Sequence, residues 1–322
     1  MSQAAYPHLD VLSSDTGVLV VGHGTRSADG QRQLLELTLA MQRLSPSTKF
    51  EPAFLELADP DIAGGLGRLI ERGISQVFVV PILLFSAAHD REDIPLAVAE
   101  ASRKLGIRVL GQSTPLGEQS AAVALSQLRC FQSLMCTNPA GCDLAGACAV
   151  ADACCGPMLA RQADVWLDRL QSMFAGTDLG ENRSSQCGSE FEPLAERLQN
   201  TALVLIGRGT SQLPARQAME RLMETRLRQF PVAWSSIGFF AGDERSVELA
   251  LDQAAEQSAS DTVIVQPHLL FEGVLTEQLR QAVEARRSGG KRWLVASPLG
   301  GDQSLAHTWL RMADERLRRL GS

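Results

Sequence analysis

Short unbroken apolar runs alternate along the chain with longer stretches in which apolar residues recur at helical spacing. The first pattern suits strands buried on both faces, and the second suits helices with one buried face. In the first part of the chain the pattern predicts strands over 17–22, 48–55, 75–81 and 107–111, with helices over 30–44, 60–73, 89–104 and 118–134. In the last part it predicts strands over 201–206, 232–239, 261–267 and 291–296, with helices over 214–229, 244–258, 273–287 and 302–319. Leu34, Leu35, Leu37, Thr38 and Met41 illustrate one such helical face. Strands that alternate with helices imply an α/β fold, a parallel sheet covered by helices on both sides.

The two parts repeat each other. Val18-Leu19-Val20-Val21-Gly22-His23-Gly24-Thr25 returns as Leu203-Val204-Leu205-Ile206-Gly207-Arg208-Gly209-Thr210. Val79-Val80-Pro81-Ile82-Leu83-Leu84-Phe85 returns as Val265-Gln266-Pro267-His268-Leu269-Leu270-Phe271, and Thr114-Pro115-Leu116-Gly117 as Ser297-Pro298-Leu299-Gly300. Three matches in one order at almost one offset indicate a duplicated fold. The expected division is 1–135 as a first lobe, 136–199 as a linker and 200–322 as a second lobe. The linker is rich in Gly, Ala, Cys and Ser, with a possible helix from Asp164 to Phe174. A length of 322 residues agrees with two domains at about 150 residues each.

Composition adds exclusions. The net charge of −7 gives no general attraction to nucleic acid or anionic membranes, so an anionic ligand must meet a local basic cluster. The apolar runs are far shorter than the roughly 20 residues a bilayer span needs. The first residues lack the basic start and apolar stretch of a secretory leader. A cytoplasmic protein, binding neither nucleic acid nor membrane, is expected.

In parallel sheets of this kind ligands bind beyond the carboxyl ends of the strands. Three chemically capable residues fall there. His23 stands between Gly22 and Gly24 after the first strand, Glu56 closes the second, and His89 follows the third. The turn around His23 is not a dinucleotide fingerprint, because Ser27 replaces the third glycine, and no Gly-Lys-Ser/Thr makes it a P-loop. Taken singly, each residue also fits an ordinary role: His23 as a turn residue, His89 as a helix cap, Glu56 as a solvated loop carboxylate. Taken together, two imidazoles and a carboxylate on one rim suit a labile site for Fe, Co, Ni, Cu or Zn with open positions.

The blocks Gly22-His23-Gly24-Thr25-Arg26, Phe54-Leu55-Glu56-Leu57-Ala58-Asp59-Pro60 and Pro81-Ile82-Leu83-Leu84-Phe85-Ser86-Ala87-Ala88-His89 with Asp93-Ile94-Pro95 resemble the class II tetrapyrrole chelatases. The nearest group is the long, two-lobed sirohydrochlorin cobalto- and ferrochelatases. The resemblance implies two flavodoxin-like (Rossmann-like) lobes around a central cleft, each expected from the pattern to hold a four-stranded parallel sheet. It implies a lyase that inserts Co²⁺, or Fe²⁺, into sirohydrochlorin for cobalamin or siroheme biosynthesis. It maps the family's metal-handling histidines onto His23 and His89, and an acidic position onto Glu56. Arg26, Arg91 and Arg208 are candidate anchors for the substrate's carboxylates, since guanidinium pairs with carboxylate bidentately. In the second copy Arg208 replaces His23, Ala241 replaces Glu56, and Leu275 falls where His89 would be. That lobe is expected to have lost metal chemistry. A duplicated chain carries both lobes by itself, so a monomer is expected.

The cysteines are least like the family. Cys130, Cys136, Cys142, Cys148 and Cys154 are six apart, with Cys155 adjacent. Six residues turn a helix by about 600°, so they would not share a face. Cys136, Cys142, Cys148, Cys154 and Cys155 are therefore candidate ligands of an iron–sulfur cluster or zinc held by a loop, reduced thiols being the alternative. Two rival functions remain at this stage: a metal-delivery protein using the Cys-rich linker, and a nickel chelatase of a related pathway.

Overall fold

The computed structural model describes residues 14–85, 92–117, 119–135, 197–210, 212–300 and 303–320, together with Leu9 and Leu12. His89, Arg91 and the cysteines from Cys136 to Cys155 lie outside the described residues.

The first repeat runs β1 (Thr16–Gly22), α1 (Ala28–Leu44), β2 (Lys49–Phe54), α2 (Ile62–Glu71), β3 (Gln76–Ile82), α3 (Ile94–Leu105), β4 (Arg108–Gln112) and α4 (Ser120–Met135). The second runs β5 (Thr201–Gly207), α5 (Leu213–Gln229), β6 (Trp234–Phe239), α6 (Val247–Ala255), β7 (Thr262–Pro267), α7 (Val274–Glu284), a 3₁₀ turn (Arg287–Gly289), β8 (Arg292–Val295) and α8 (Gln303–Leu320). All eight expected strands form, in two four-stranded parallel sheets ordered β2-β1-β3-β4 and β6-β5-β7-β8. The expected α/β fold of two similar lobes is thus present. Helix starts are set by caps rather than by periodicity. Asp61 accepts from the Gly64 amide and Ser246 from the Leu249 amide, which trims α2 and α6 relative to the pattern.

In each unit one sheet face carries an aliphatic core. In the first, Leu19, Val21, Val77 and Val79 meet Leu66 and Leu69 of α2 and Val98 of α3. In the second, Val204, Ile206, Val263 and Val265 meet Leu251 of α6 and Leu279 and Val283 of α7. A central strand with both faces covered is mostly apolar, and every residue of β1 and β5 is buried, including the first residues Thr16 and Thr201.

The contacts divide the chain into Met1–Gly117 with Gly300–Ser322, and Glu118–Leu299. Helix α4 packs on α5, β7 and β8, whereas α8 packs on α1 and β4. The last helix of each repeat therefore belongs to the other repeat's sheet, unlike the expected division at 135 and 200. The reason lies in the residues beneath. Gln266 in β7 donates to the Ser126 carbonyl at 2.7 Å and accepts from Arg226 at 2.8 Å. These groups are buried and find their partners on α4 and α5. At the corresponding places the first unit has Val80 and Met41, both buried.

Candidate functional site

The candidate site is built on the ends of β1 and β2. Their parallel pairing continues past the last strand residues: the Leu55 amide donates to the Gly22 carbonyl at 2.9 Å and the Glu56 amide to the His23 carbonyl at 3.0 Å. The backbone of both candidate residues is thus held by the sheet itself. Gly24 follows with φ of 104°, and a Cβ there would stand 1.7 Å from the Glu56 carbonyl oxygen. Only glycine fits, both for the dihedral and for the approach.

This turn brings His23 and Glu56 together. Nδ1 of His23 lies 3.4 Å from Oε1 of Glu56. The imidazole is mostly buried, with 13% of its side chain exposed, while half of the Glu56 side chain is exposed. A carboxylate beside Nδ1 favours the tautomer with its proton on Nδ1 and leaves the Nε2 lone pair available. Carboxylates orient metal-binding imidazoles in this way. Arg26, on the same turn, is exposed.

The remainder of the turn is tied to α1. The Ser27 amide donates to Thr25 Oγ1 at 3.1 Å, and Ser27 caps the helix by accepting from Gly30. Gln31 Nε2 donates to the Thr25 carbonyl at 2.7 Å. Sequence reasoning did not single out Gln31. The signal available was the repeat, in which Arg216 stands at its place.

The second unit keeps the scaffold and changes the chemistry. Gly209 has φ of 91°, and a Cβ there would meet the Ala241 carbonyl oxygen at 1.8 Å. The Gln212 amide donates to Thr210 Oγ1 at 3.0 Å, as Ser27 does to Thr25. Arg208 is exposed where the first unit has His23, and Ala241 carries no carboxylate. A pocket of about 480 Å³ lies beside this turn, lined by Arg216, Gly242, Asp243, Glu244 and Arg245. Asp243 accepts from Arg216 and Arg245, each at 2.9 Å. The Arg245 hydrogen bonds hold its carboxyl well below the usual range, against the opposing effect of burial. These charges neutralise one another, so we assign the pocket a structural network rather than the chemistry. His268 takes the place of Ile82, as the register of Pro81 with Val21 and of Pro267 with Ile206 requires. Burial, then the charge of Arg226, lowers its pKa to about 3. It is a neutral core residue at ordinary pH.

Among the described residues no group of three or more His, Cys, Asp or Glu is placed to hold a metal. Cys130 is a buried free thiol on α4, its pKa raised by burial. No helix of the described residues is long and apolar enough to cross a membrane.

A family model, CbiX, matches the chain twice, over residues 17–133 and 202–316. The chain belongs to the CbiX family. The double match makes it a class II chelatase of the long, two-lobed form. Over 290 residues it is 23% identical to a sirohydrochlorin ferrochelatase of Priestia megaterium, covering 90% of this chain and 86% of the relative. It is also 24% identical over 271 residues to a sirohydrochlorin cobaltochelatase of the same organism, covering 83% and 68%. The fold matches SirB from Bacillus subtilis, solved with Fe³⁺, at a TM-score of 0.64 with 19% identity, over 96% of each chain.

Proposed function

We propose that this protein is a sirohydrochlorin chelatase, exchanging the two pyrrole N–H protons of the macrocycle for one divalent ion, Co²⁺ or Fe²⁺. The observation that carries this is the His23–Glu56 pair on the Gly24 turn, in a chain of the CbiX family. The named relatives support sirohydrochlorin as substrate and divide between iron and cobalt.

In this reading Nε2 of His23 ligates the incoming ion while the Glu56 carboxylate, 3.4 Å from Nδ1, favours the proton on that nitrogen. Fixing the tautomer raises the basicity of the ligating nitrogen. His89 serves as the second imidazole, and a hold by two imidazoles still leaves coordination positions open, which a metal in transit to the macrocycle needs. Glu56, half exposed, is placed to pass released protons to water. Arg26 on the first unit, and Arg91, meet substrate carboxylates; Arg208 presents the same chemistry on the second unit. The protein acts in the cytoplasm, as a monomer.

The test is anaerobic metal insertion followed by the absorption change of sirohydrochlorin, with Co²⁺, Fe²⁺ and Ni²⁺ in turn. The wild type should insert cobalt or iron faster than the protein-free control. His23→Ala should fall to the control rate; full activity in that variant would overturn the assignment.

A further inference from the structure

We infer that Gln31 is a positioning residue for His23. The inference rests on the chelatase reading only for its kinetic arm. The His23 backbone has two anchors within reach. One is the sheet, through the Glu56 amide on the His23 carbonyl. The other is α1, where Gln31 sits in the second turn and its Nε2 donates back to the Thr25 carbonyl at 2.7 Å. Between these points lies Gly24, whose φ of 104° is adopted at little cost only by glycine. Glycine gives the turn its shape but also leaves it free to swing, because it lacks a Cβ to restrict the backbone. On the side the sheet does not reach, the Gln31 hydrogen bond fixes the Thr25 carbonyl, beside the bond from the Ser27 amide to the Thr25 hydroxyl.

The duplication supplies an internal comparison. The second turn keeps the glycine, the threonine and the amide bond to the threonine hydroxyl. It loses His23, Glu56 and Gln31 together, as Arg208, Ala241 and Arg216. Arg216 turns away to Asp243. What a turn needs in order to fold is thus retained in both copies. The side-chain tie is present only where an imidazole must be held in one orientation.

A donor at position 31 matters on this account, and bulk alone does not. Gln31→Glu keeps the size and removes the donor, Gln31→Leu removes polarity, and Gln31→Lys restores a donor. The full chain is compared in each case by melting temperature, by insertion kinetics with Co²⁺ and by the imidazole ¹⁵N spectrum of His23. Gln31→Glu and Gln31→Leu should lower kcat about 10-fold with little change in KM for sirohydrochlorin, since small misplacements of a reacting group are costly. Their melting temperatures should stay near that of the wild type, and His23 should lose its single-tautomer signature. Gln31→Lys should recover most of both. Wild-type kcat and an unchanged His23 spectrum in Gln31→Glu would overturn the inference. If the wild type inserted no metal, the chelatase reading would fail, and the spectrum would still decide the role of Gln31.

Discussion

Nδ1 of His23 lies 3.4 Å from a Glu56 oxygen, longer than a strong hydrogen bond and within ion-pair range. In the proposed reading Glu56 therefore acts as a nearby carboxylate that favours the proton on Nδ1, and not as a short hydrogen-bonded clamp. Substitution Glu56→Gln keeps the volume and replaces the acceptor next to Nδ1 with an amide. Metal affinity and insertion rate should each fall between about 10- and 100-fold, the usual effect of losing such a support. Isothermal titration with Co²⁺ and the insertion assay measure the two separately. A variant with wild-type affinity and rate would show that Glu56 is only a solvated loop carboxylate. At this scale the pattern placed both residues on one rim correctly. It did not pair them, because pairing depends on the register of β1 with β2 and on the close approach at Gly24, and neither is visible in local spacing.

The elements show a sharper division between what is local and what is not. All eight strands and the helix at the end of each repeat were legible as periodicity. The sheet each terminal helix covers was not. On α4 the buried positions include Ser126, Gln127, Arg129, Cys130 and Ser133, an unusually polar face. They lie in the unit that buries Arg226, Gln266 and His268. On α8 Trp309 takes the place of Ser126 and is fully buried. The corresponding first-unit residues, Met41, Val80 and Ile82, are apolar. Trp309 over Gln266 would overpack the layer and strand its amide, whereas Ser126 over Val80 would leave a void and a buried hydroxyl. Gln266→Val should therefore cost about 3 kcal/mol, since the Arg226 guanidinium loses its acceptor in a dry interior. Adding Arg226→Met, as in the first unit, should recover part of that loss. Denaturant unfolding of the single and double variants checks this, and an undamaged single variant would refute the role given to Gln266.

For the whole molecule the unequal chemistry of the two units predicts an unequal response to acid. His268 has its pKa lowered to about 3 in the folded state by burial and by Arg226, while an unfolded histidine titrates near 6.5. Below 6.5 the unfolded chain takes up a proton that the folded unit refuses. Stability is then fully present above about pH 6.5 and is lost as pH falls towards 3. Between pH 7 and pH 5 the loss should be about 2 kcal/mol. Asp243 acts lower: its folded pKa is depressed by Arg245, so its contribution is lost only below about pH 4. Amide protection factors in β5 to β8, each referred to the intrinsic exchange rate at its own pH, should fall on that shift to pH 5, and His268→Ile, which copies Ile82, should remove most of the fall. An equal fall in the variant would place the acid sensitivity elsewhere. By itself the sequence determined the duplication, the parallel α/β layers and the absence from the second copy of residues matching His23, Glu56 and His89. Each of these follows from residue type and spacing along the chain. Tertiary structure alone decided the pairing of His23 with Glu56, the tie from Gln31 and the exchange of α4 and α8. Each of those depends on what a distant segment offers across a sheet edge or a buried face. Periodicity specifies which side of a helix is covered and leaves open what covers it.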